Sequence, residues 1–562
     1  MASIGIDSLL DISRRALYTQ SQSVRVIGNN IANVNTEGYS RRKAEIVSTK
    51  STDLGAGAFG TGADIEKVVR LVDDFVNKEL LARINDRSEA EIKDEFLERA
   101  EATFSLDAQD GRIGYELSKF FSALEDLQAS PSSIPLRSGL IQQGQILTDT
   151  IRSAYQVIAG LQREADTRMQ VLVGEVNRIC SDIAGLNSQI VAGEKTLQQN
   201  LTLRDKRDSL MQELSEIISV RTVENSDGSL IVTLENGFGL VTGIETNALS
   251  YSLSPSFAQG NPFPPGLDGG AMGFIVHDFD DSLAGESHVD LSSTIASGGG
   301  ELAGILNLRG LQSDTDTSPF DATGELVDMA TYIELLSRDL LTRFNAAYLG
   351  DDEDTGTAVH DASSGDLNGN PSNTFLGGIP QNTFGLFSFT GANDAVTGGA
   401  DVDLDGLPEQ QDLQTFGLYS YAFNLTFGVT DPAKLAAALD LDADPTELAF
   451  APGDGNNIQR LLNERNRIVT YTMGGIQVSG TIEELYDLTV SYAGGLKATS
   501  SNQFYISKDR ETQLAEARAN VSGVNLDEEF SQLINYQRAF EAAGRMIKVA
   551  DELLAQVLGL VG

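Results

Sequence analysis

The longest regular pattern of hydrophobic positions starts at Ala165 and predicts a long helix. Apolar residues recur there in alternating steps of four and three, and this 3.5-residue repeat keeps one stripe facing a neighbouring helix, as in a left-handed coiled coil. The helix is predicted to begin near Pro135. The stripe indicates core packing within the chain, with a face for a partner as the alternative, and Cys180 beside it is expected to be a buried small hydrophobic residue. Its members are Ala165, Met169, Leu172, Val176, Ile179, Ile183, Leu186 and Ile190.

Two other stretches are typical of β structure, because they combine short alternating runs such as residues 229–234 with many Gly, Ser, Thr and Asp residues. Eleven of the 13 prolines lie between Pro255 and Pro452, so the two ends of the chain are free to form long helices. Helical spacing predicts further helices over residues 64–105, 114–127, 203–219, 326–348 and 481–521.

These boundaries predict an α+β multidomain fold, in which a long α-helical coiled-coil rod is built from N- and C-terminal segments and carries inserted β-rich modules. The distribution of Lys and Arg supports the same boundaries for the β-rich modules, since neither residue occurs from 222 to 308 and only Lys434 occurs from 351 to 459. The predicted domains are a terminal helical assembly domain (1–60 with 508–562), a helical rod domain (61–220 with 300–350 and 455–507), a β-rich module (221–299) and an acidic β-rich or loop module (351–454).

Both ends of the chain are amphipathic and apolar. Chain ends are normally polar and frayed, whereas each of these carries about ten large apolar side chains worth about 1.5–3 kcal/mol apiece when buried. We therefore expect both ends to be covered. The apolar positions are Ile4, Ile6, Leu9, Leu10, Leu17, Val24, Ile27, Ile31 and Val34 at one end, and Leu526, Phe530, Leu533, Phe540, Ile547, Leu554, Leu558 and Val561 at the other.

The two ends differ in charge, which suggests what covers them. Residues 1–50 hold seven basic and four acidic groups, a net +3, and residues 508–562 hold six basic and nine acidic groups, a net −3. Opposite charges allow the end helices to pair, and the remaining apolar surface could pack on neighbouring copies to give helical arrays. The alternative is a monomer in which the two ends form a hairpin.

Charge and composition exclude several classes of function. The 562 residues include 81 acidic and 40 basic side chains, a formal charge of −41, so nucleic acid and anionic membrane surfaces are poor partners. One cysteine excludes a disulfide framework. No apolar run is long enough to span a bilayer, and residues 1–20 lack the apolar core of a secretory signal. We expect a cytoplasmic protein, or one exported without a cleaved signal.

Residues 401–412, DVDLDGLPEQQD, contain the strongest candidate for binding chemistry. Their carboxylates match much of a calcium loop, but position 12 is an aspartate, Pro408 interrupts the loop, and no amphipathic helices flank it. A solvated acidic turn is the preferred interpretation. His277, His288 and His360 have no second histidine at ligand spacing, and no nucleophile–base pair is apparent, so neither an enzyme nor a cofactor is predicted. The carboxylates of this weak candidate calcium loop are Asp401, Asp403, Asp405, Glu409 and Asp412.

Two long motifs at the opposite ends of the chain carry a family resemblance. GNNIANVNTEGYSR begins at Gly28, and SGVNLDEEFSQLINYQRAFEAAGRMIKVADELL begins at Ser522. Together they resemble the end signatures of the bacterial flagellar rod, hook and hook-associated axial proteins. LRDKRDSLMQELSEIISV, GGELAGILNLR and the Tyr-Ser-Arg ending of the first motif are similar to the hook-associated members. Glu37 departs from the proline that is usual in the family.

The first motif also has a physical interpretation of its own. Asn33 and Asn35 suit the end of a helix, because asparagine tolerates left-handed backbone and bonds to local peptide groups. Gly38 supplies a second permissive position, and residues 42–48 then alternate like a strand. Helix, turn and strand would together form a joint that orients the first helix.

The resemblance implies a structural, non-enzymatic protein that forms the junction between flagellar hook and filament. It implies export in unfolded form by the flagellar type III apparatus, a homo-oligomer in a helical tube, and as partners the hook protein, the next junction protein and an export chaperone. Alternatives are another axial protein (hook, rod or filament) or an acidic, calcium-dependent surface adhesin or enzyme. The predicted assembly residues are Ile4, Leu9, Leu10, Leu17, Val24, Ile27, Asn29, Asn30, Ile31, Asn33, Asn35, Gly38, Tyr39, Leu526, Phe530, Leu533, Phe540, Ile547, Leu554 and Leu558.

Overall fold

The structure is a computed structural model of the whole chain. It describes residues 2–53, 58–104, 112–194, 200–252, 267–268, 272–281, 285–311, 322–344, 347–348, 386–389, 420–430, 432, 435, 455–473 and 476–561. The candidate calcium loop and His360 lie outside the described residues.

Long helices dominate the described residues, and the strands are short. The helices are α1 (Ala2–Ala32), α2 (Asp74–Phe104), α3 (Ile113–Ala129), α4 (Ile134–Gly193), α5 (Leu201–Ile217), α6 (Ser292–Ala296), α7 (Glu301–Arg309), α8 (Glu325–Asp339, continued by a π-helical turn at Leu340–Phe344), α9 (Tyr421–Asn424), α10 (Asn456–Arg465), α11 (Ile482–Ser522) and α12 (Leu526–Val561). The strands are β1 (Arg42–Ser48), β2 (Thr52–Asp53), β3 (Ala58–Phe59), β4 (Ala63–Arg70), β5 (Arg221–Glu224), β6 (Leu230–Thr233), β7 (Gly239–Thr242), β8 (Glu245–Thr246), β9 (Ser250–Ser252), β10 (Phe274–Asp281), β11 (Gly285–Asp290), β12 (Phe387–Phe389), β13 (Leu425–Phe427), β14 (Val469–Met473) and β15 (Ile476–Gly480). This mixture of long helices and inserted small sheets confirms the predicted fold class.

The chain forms two compact units. The terminal unit contains residues 1–87, 175–248 and 505–562, and the central unit contains residues 88–174 and 249–504. Six of the eight residues of the stripe that begins at Ala165 are buried along α4, and Leu172 and Leu186 are half-buried. Cys180 beside the stripe is 2% exposed, and burial raises the pKa of its thiol to about 12. The predicted helix over 64–105 is wrong for its first part. Residues from Ala63 to Arg70 pair instead with β1 as an antiparallel ribbon, because ladder hydrogen bonds with a distant strand override local spacing.

In the terminal unit, a four-stranded sheet of order β5-β6-β7-β8 is fixed to α4 by one buried amide. Asn187 is fully buried, and its Nδ2 donates to the carbonyl oxygens of Leu230 (2.8 Å) and Gly243 (2.7 Å). Its Oδ1 accepts from the Leu230 N–H (3.1 Å) and from Arg207 Nη1 (3.0 Å). Every hydrogen-bonding position of the amide is therefore used, which fixes the sheet in one register on the helix.

In the central unit, the core contains a cluster of aromatic rings. Phe120 on α3 packs at 5.7 Å from the Phe387 ring and 6.3 Å from the Phe427 ring, measured between centroids. Phe344 lies 5.9 Å from Phe121. Edge-on and tilted contacts at these separations suit aromatic quadrupoles. The cluster thus attaches the short β12–β13 pair, which is marginal alone, to the helices.

A buried carboxylate holds the start of α9. Glu334 is fully buried and accepts hydrogen bonds from Ser420 Oγ (2.6 Å) and from the backbone N–H groups of Tyr421 (2.7 Å) and Ala422 (3.0 Å). Burial raises the pKa of this carboxyl to about 7 and outweighs these hydrogen bonds, which lower it. As the pH rises, the unfolded chain therefore loses the Glu334 proton near pH 4.5, whereas the folded state keeps it up to about pH 7.

The raised pKa of Glu334 predicts a pH-dependent stability. Its contribution is fully present below about pH 4.5 and is lost as the pH rises through about 7. The unfolding free energy of the central unit should therefore fall by about 3 kcal/mol from this group between pH 4 and 8. Denaturant unfolding at several pH values measures the slope, and Glu334→Gln should flatten it. An unchanged slope in the variant would contradict the assignment.

Candidate assembly interface

The helix α1 ends within the first motif, and local hydrogen bonds close it. The N–H of Asn33 donates to the Asn29 carbonyl oxygen (3.1 Å), and the Asn33 side chain reaches the same oxygen (2.8 Å). The Thr36 N–H then donates to the Asn33 carbonyl (3.0 Å), so the chain turns sharply. Asn33 therefore terminates the helix in the way the sequence indicates, whereas Asn35 is exposed.

Asn30 connects this turn to the rest of the unit. Its side chain is 1% exposed, and its Nδ2 donates to the Arg42 carbonyl (2.9 Å) and to Glu529 Oε2 (3.0 Å). Its Oδ1 accepts from the Arg42 N–H (3.0 Å) and from the Tyr39 hydroxyl (2.8 Å). One amide thus ties together α1, the turn, β1 and α12, with all four of its hydrogen bonds made.

An ion pair joins the two motifs directly. Arg41 Nε donates to Glu529 Oε1 at 2.6 Å, and Arg41 Nη1 donates to Glu528 Oε2 at 2.7 Å. The Arg41 N–H also reaches the Ser522 carbonyl at the end of α11 (2.8 Å). Burial lowers the pKa of Arg41, but the hydrogen bonds to Glu528 and Glu529 raise it more, so the guanidinium stays charged. Glu529 is 1% exposed, which makes it the buried end of this joint.

A second ionic contact attaches the ribbon to α5. Arg70 Nη1 donates to Asp205 (3.0 Å) and to Asp208 (2.7 Å), and Arg42 lies 3.4 Å from Asp205. The Arg42 guanidinium also stacks 5.0 Å from the centre of the Tyr39 ring. Desolvation raises the pKa of Tyr39, so its hydroxyl keeps the proton that it donates to Asn30.

Gly38 occupies the position in the turn that requires glycine. Its φ is +74°, and a Cβ there would lie 2.4 Å from Ser209 Oγ on α5. Gly38→Val should therefore lower the unfolding free energy by about 2 kcal/mol, because a β-branched residue is strained in left-handed backbone. Gly28→Ala is the matched control, since nothing lies within 4 Å of that Cβ position on α1, and it should be neutral or slightly stabilising. Denaturant melts measure both, and equal effects would contradict the prediction.

The rest of α1 lies antiparallel to α12 and packs along it, so the structure brings the two predicted end segments together. The predicted apolar residues on α1 whose burial is described are buried or half-buried, Ile27 being 3% exposed. On α12, by contrast, seven large apolar residues are exposed. The half-buried residues are Leu9, Leu10, Leu17, Val24, Ile31, Leu533, Ile547 and Leu554, and the exposed ones are Leu526 (39%), Phe530 (49%), Ile534 (48%), Phe540 (44%), Met546 (38%), Val549 (51%) and Leu553 (41%).

The side chains of Ile4 and Leu558 lie outside the described residues, and Asn29 is exposed at the end of α1. Sequence reasoning missed Arg41, Arg42 and Glu529, which hold the joint. The sequence could have indicated these residues, because the two motifs carry charged residues of opposite sign beside the predicted helix ends. Apolar spacing alone cannot find such groups.

Neither a metal-binding cluster nor a membrane-spanning helix occurs in the part of the chain that the structure describes. The described residues contain no group of three or more His, Cys, Asp or Glu side chains placed to hold a metal ion. Among the described helices, none has both the length and the apolar character needed to cross a membrane.

Comparisons with known proteins agree with this geometry. A family model described as flagellar hook-associated protein FlgK helical domain matches residues 97–357. Two further models match the paired end helices: flagella basal body rod protein at residues 10–39, and flagellar basal body rod FlgEFG protein C-terminal at residues 517–560.

Relatives that are similar over nearly the whole chain carry one name. Flagellar hook-associated protein 1 of Bacillus subtilis is 23% identical over 98% of both chains, and that of Escherichia coli is 24% identical over 99% of this chain and 100% of its own. A solved structure, the flagellar hook junction protein FlgK from Burkholderia pseudomallei, superposes with a TM-score of 0.57 at 14% identity. It covers 79% of this chain and 100% of its own, which shows a shared fold.

Proposed function

We propose, on the premise that this chain resembles flagellar hook-associated protein 1 along its whole length, that it is a structural component of the bacterial flagellum. It forms the junction between hook and filament, and copies assemble helically through their terminal helices. The observation that carries this proposal is the α1–α12 pair, which coincides with the matches to two axial-protein models and still exposes seven large apolar residues on α12. Such a surface needs a covering partner in the functional state.

The same premise supports finer statements about partners and location. The hook protein and the next junction protein are the neighbours, an export chaperone covers the chain before assembly, and export proceeds without a cleaved signal. The predicted assembly residues and the four domains given above belong to this proposal. The protein acts by contact alone, without catalysis.

Deletion of residues 525–562 in an otherwise complete chain tests the function. In cells that lack the native protein, the full chain should restore filaments, whereas the deletion should leave bare hooks that shed filament subunits into the medium. Electron microscopy of the hooks and the amount of filament protein in the medium measure this. The deleted chain should still be detected outside the cell, which separates loss of assembly from loss of export. Normal filaments on the deleted chain would overturn the proposal.

A further inference from the structure

The outward face of α1 carries a second stripe, separate from the seam with α12. Its residues recur in steps of four and three, the spacing that lets a helix face another helix. Arg14 and Arg25 are exposed and make no ion pair among the described residues, Tyr18 is 62% exposed, and nothing lies within 4 Å of a Cβ at Gly28. The stripe is Arg14, Tyr18, Ser21, Arg25, Gly28 and Ala32.

The outward face of α12 carries a stripe with identical spacing. Its charged members are all exposed, and like those of α1 they form no ion pair among the described residues. Ile534, which is 48% exposed, stands at one end. The stripe is Ile534, Arg538, Glu541, Arg545, Lys548 and Glu552.

The two stripes are complementary when the helices run antiparallel. Arg14 then meets Glu552, and Arg25 meets Glu541. Between these pairs, Lys548 lies over the ring of Tyr18, as cation–π contacts require, and Arg545 faces the hydroxyl of Ser21. At the far end Arg538 passes over the open position of Gly28.

The last pair of the two stripes also supports the antiparallel orientation of the helices, because the small Ala32 side chain leaves room for Ile534. The parallel alignment of the same six positions would instead place Arg25 against Arg545 and Arg14 against Ile534. Like charges in direct contact disfavour that alignment. Of these two alignments, charge and size therefore favour the antiparallel one.

We propose that the outward stripe of α12 in one copy docks on the outward stripe of α1 in a second copy, in this antiparallel register. The inference rests on the proposed function and specifies one contact of that assembly, which includes Ile534 among the seven exposed apolar residues of α12. Both stripes face away from the seam within a copy, so only another molecule can bring them together. A contact between two unlike faces of one chain repeats from copy to copy, which gives an open array.

The register also sets the displacement between neighbours. Within one copy Asn30 lies beside Glu529, whereas the proposed contact places Arg25 beside Glu541, a shift of seven residues relative to the seam. At 1.5 Å per residue, adjacent copies point the same way and are displaced by about 10 Å along the helix axis.

A charge exchange tests the contact in the full chain. Arg25→Glu and Glu541→Arg should each lower the amount of protein in isolated flagella at least tenfold, because each creates a like-charge contact. The double variant Arg25→Glu with Glu541→Arg should recover most of the wild-type amount. Arg510→Glu and Glu516→Arg, exposed on α11 and outside both stripes, are the matched controls and should incorporate normally.

Cross-linking supplies a second readout. Cys180 is buried, so cysteines placed at residues 32 and 534 by Ala32→Cys and Ile534→Cys should form an intermolecular disulfide in isolated flagella. Single variants that incorporate like wild type, or a double variant that is not restored, overturn the inference while leaving the junction function intact. Failure of the unaltered chain to enter flagella overturns the proposed function and the inference with it. Amounts exported to the medium and unfolding midpoints identify variants that fail earlier.

Discussion

Glu529→Ala is expected to lower the unfolding free energy of the terminal unit by about 3–5 kcal/mol and to abolish incorporation into flagella. The carboxylate is 1% exposed and receives hydrogen bonds from both Arg41 and Asn30. Its removal takes the acceptor from Arg41 Nε and from one N–H of the buried Asn30 amide and leaves the half-buried guanidinium with only the exposed Glu528. Breaking one partner of a buried pair is costly. Denaturant unfolding of the full chain measures the first effect, and the protein content of isolated flagella measures the second.

Glu528→Ala provides the control, because Glu528 pairs with the same arginine from an exposed position, its side chain being 57% exposed. Exposed ion pairs contribute about 0–1 kcal/mol, so this variant should remain close to wild type. Equal losses in the two variants would mean that Arg41, and not the burial of Glu529, determines the strength of the joint. Hydrogen exchange over residues 28–48 should speed up only for Glu529→Ala.

The helices could be predicted from the sequence because a helix that buries one face has apolar residues at regular helical spacing. The stripe that starts at Ala165 lies in a 60-residue helix, and the predicted helices near residues 114, 203 and 481 were confirmed within a few residues. Strand β4 could not be found in this way. Its residues are compatible with either structure, and pairing with β1 decides between them.

The joint between the end motifs was predicted only in part. Asn33 and Gly38 were found because helix ends and left-handed turns restrict residue type. Asn30 was selected only as part of the motif, since its four hydrogen bonds run from α1 to three other segments, the turn, β1 and α12. Such a group is recognisable only after distant segments have met.

The opposite charges of the two ends predicted that they pair. They did not predict that α12 would leave more large apolar residues exposed than α1. The seam uses the apolar stripe of α1, and among the described side chains of α1 only Tyr18 remains as a large exposed apolar residue. Helix α12 has apolar residues around more of its circumference, so it can serve the seam and still expose others. The sequence predicted that both ends are covered; within one copy the described part of α1 is largely covered, whereas seven large apolar residues of α12 are exposed.

In the central unit, a buried ion pair between α4 and the end of α7 is the counterpart of the Arg41–Glu529 joint. Arg309 is 2% exposed and donates from Nη1 to Asp166 and from Nη2 to the Gly273 carbonyl (2.6 Å). Asp166 also accepts from the Tyr251 hydroxyl and from the Gly273 N–H (3.2 Å). One carboxylate thus connects α4, α7, β9 and the residue before β10.

Asp166→Ala is therefore expected to lower the unfolding free energy of the central unit by about 3–5 kcal/mol, since Arg309 would stay buried without a counter-charge. Asp149→Ala is the matched control on the same helix, because Asp149 pairs with Arg152 from a position that is 64% exposed and should contribute less than about 1 kcal/mol. The double change Asp166→Ala with Arg309→Met removes the stranded charge, and it should recover a large part of the loss. Chemical denaturation of all three variants decides the matter. If the double variant were no more stable than Asp166→Ala, the lost hydrogen bonds to Tyr251 and Gly273, and not the unpaired guanidinium, would account for the cost.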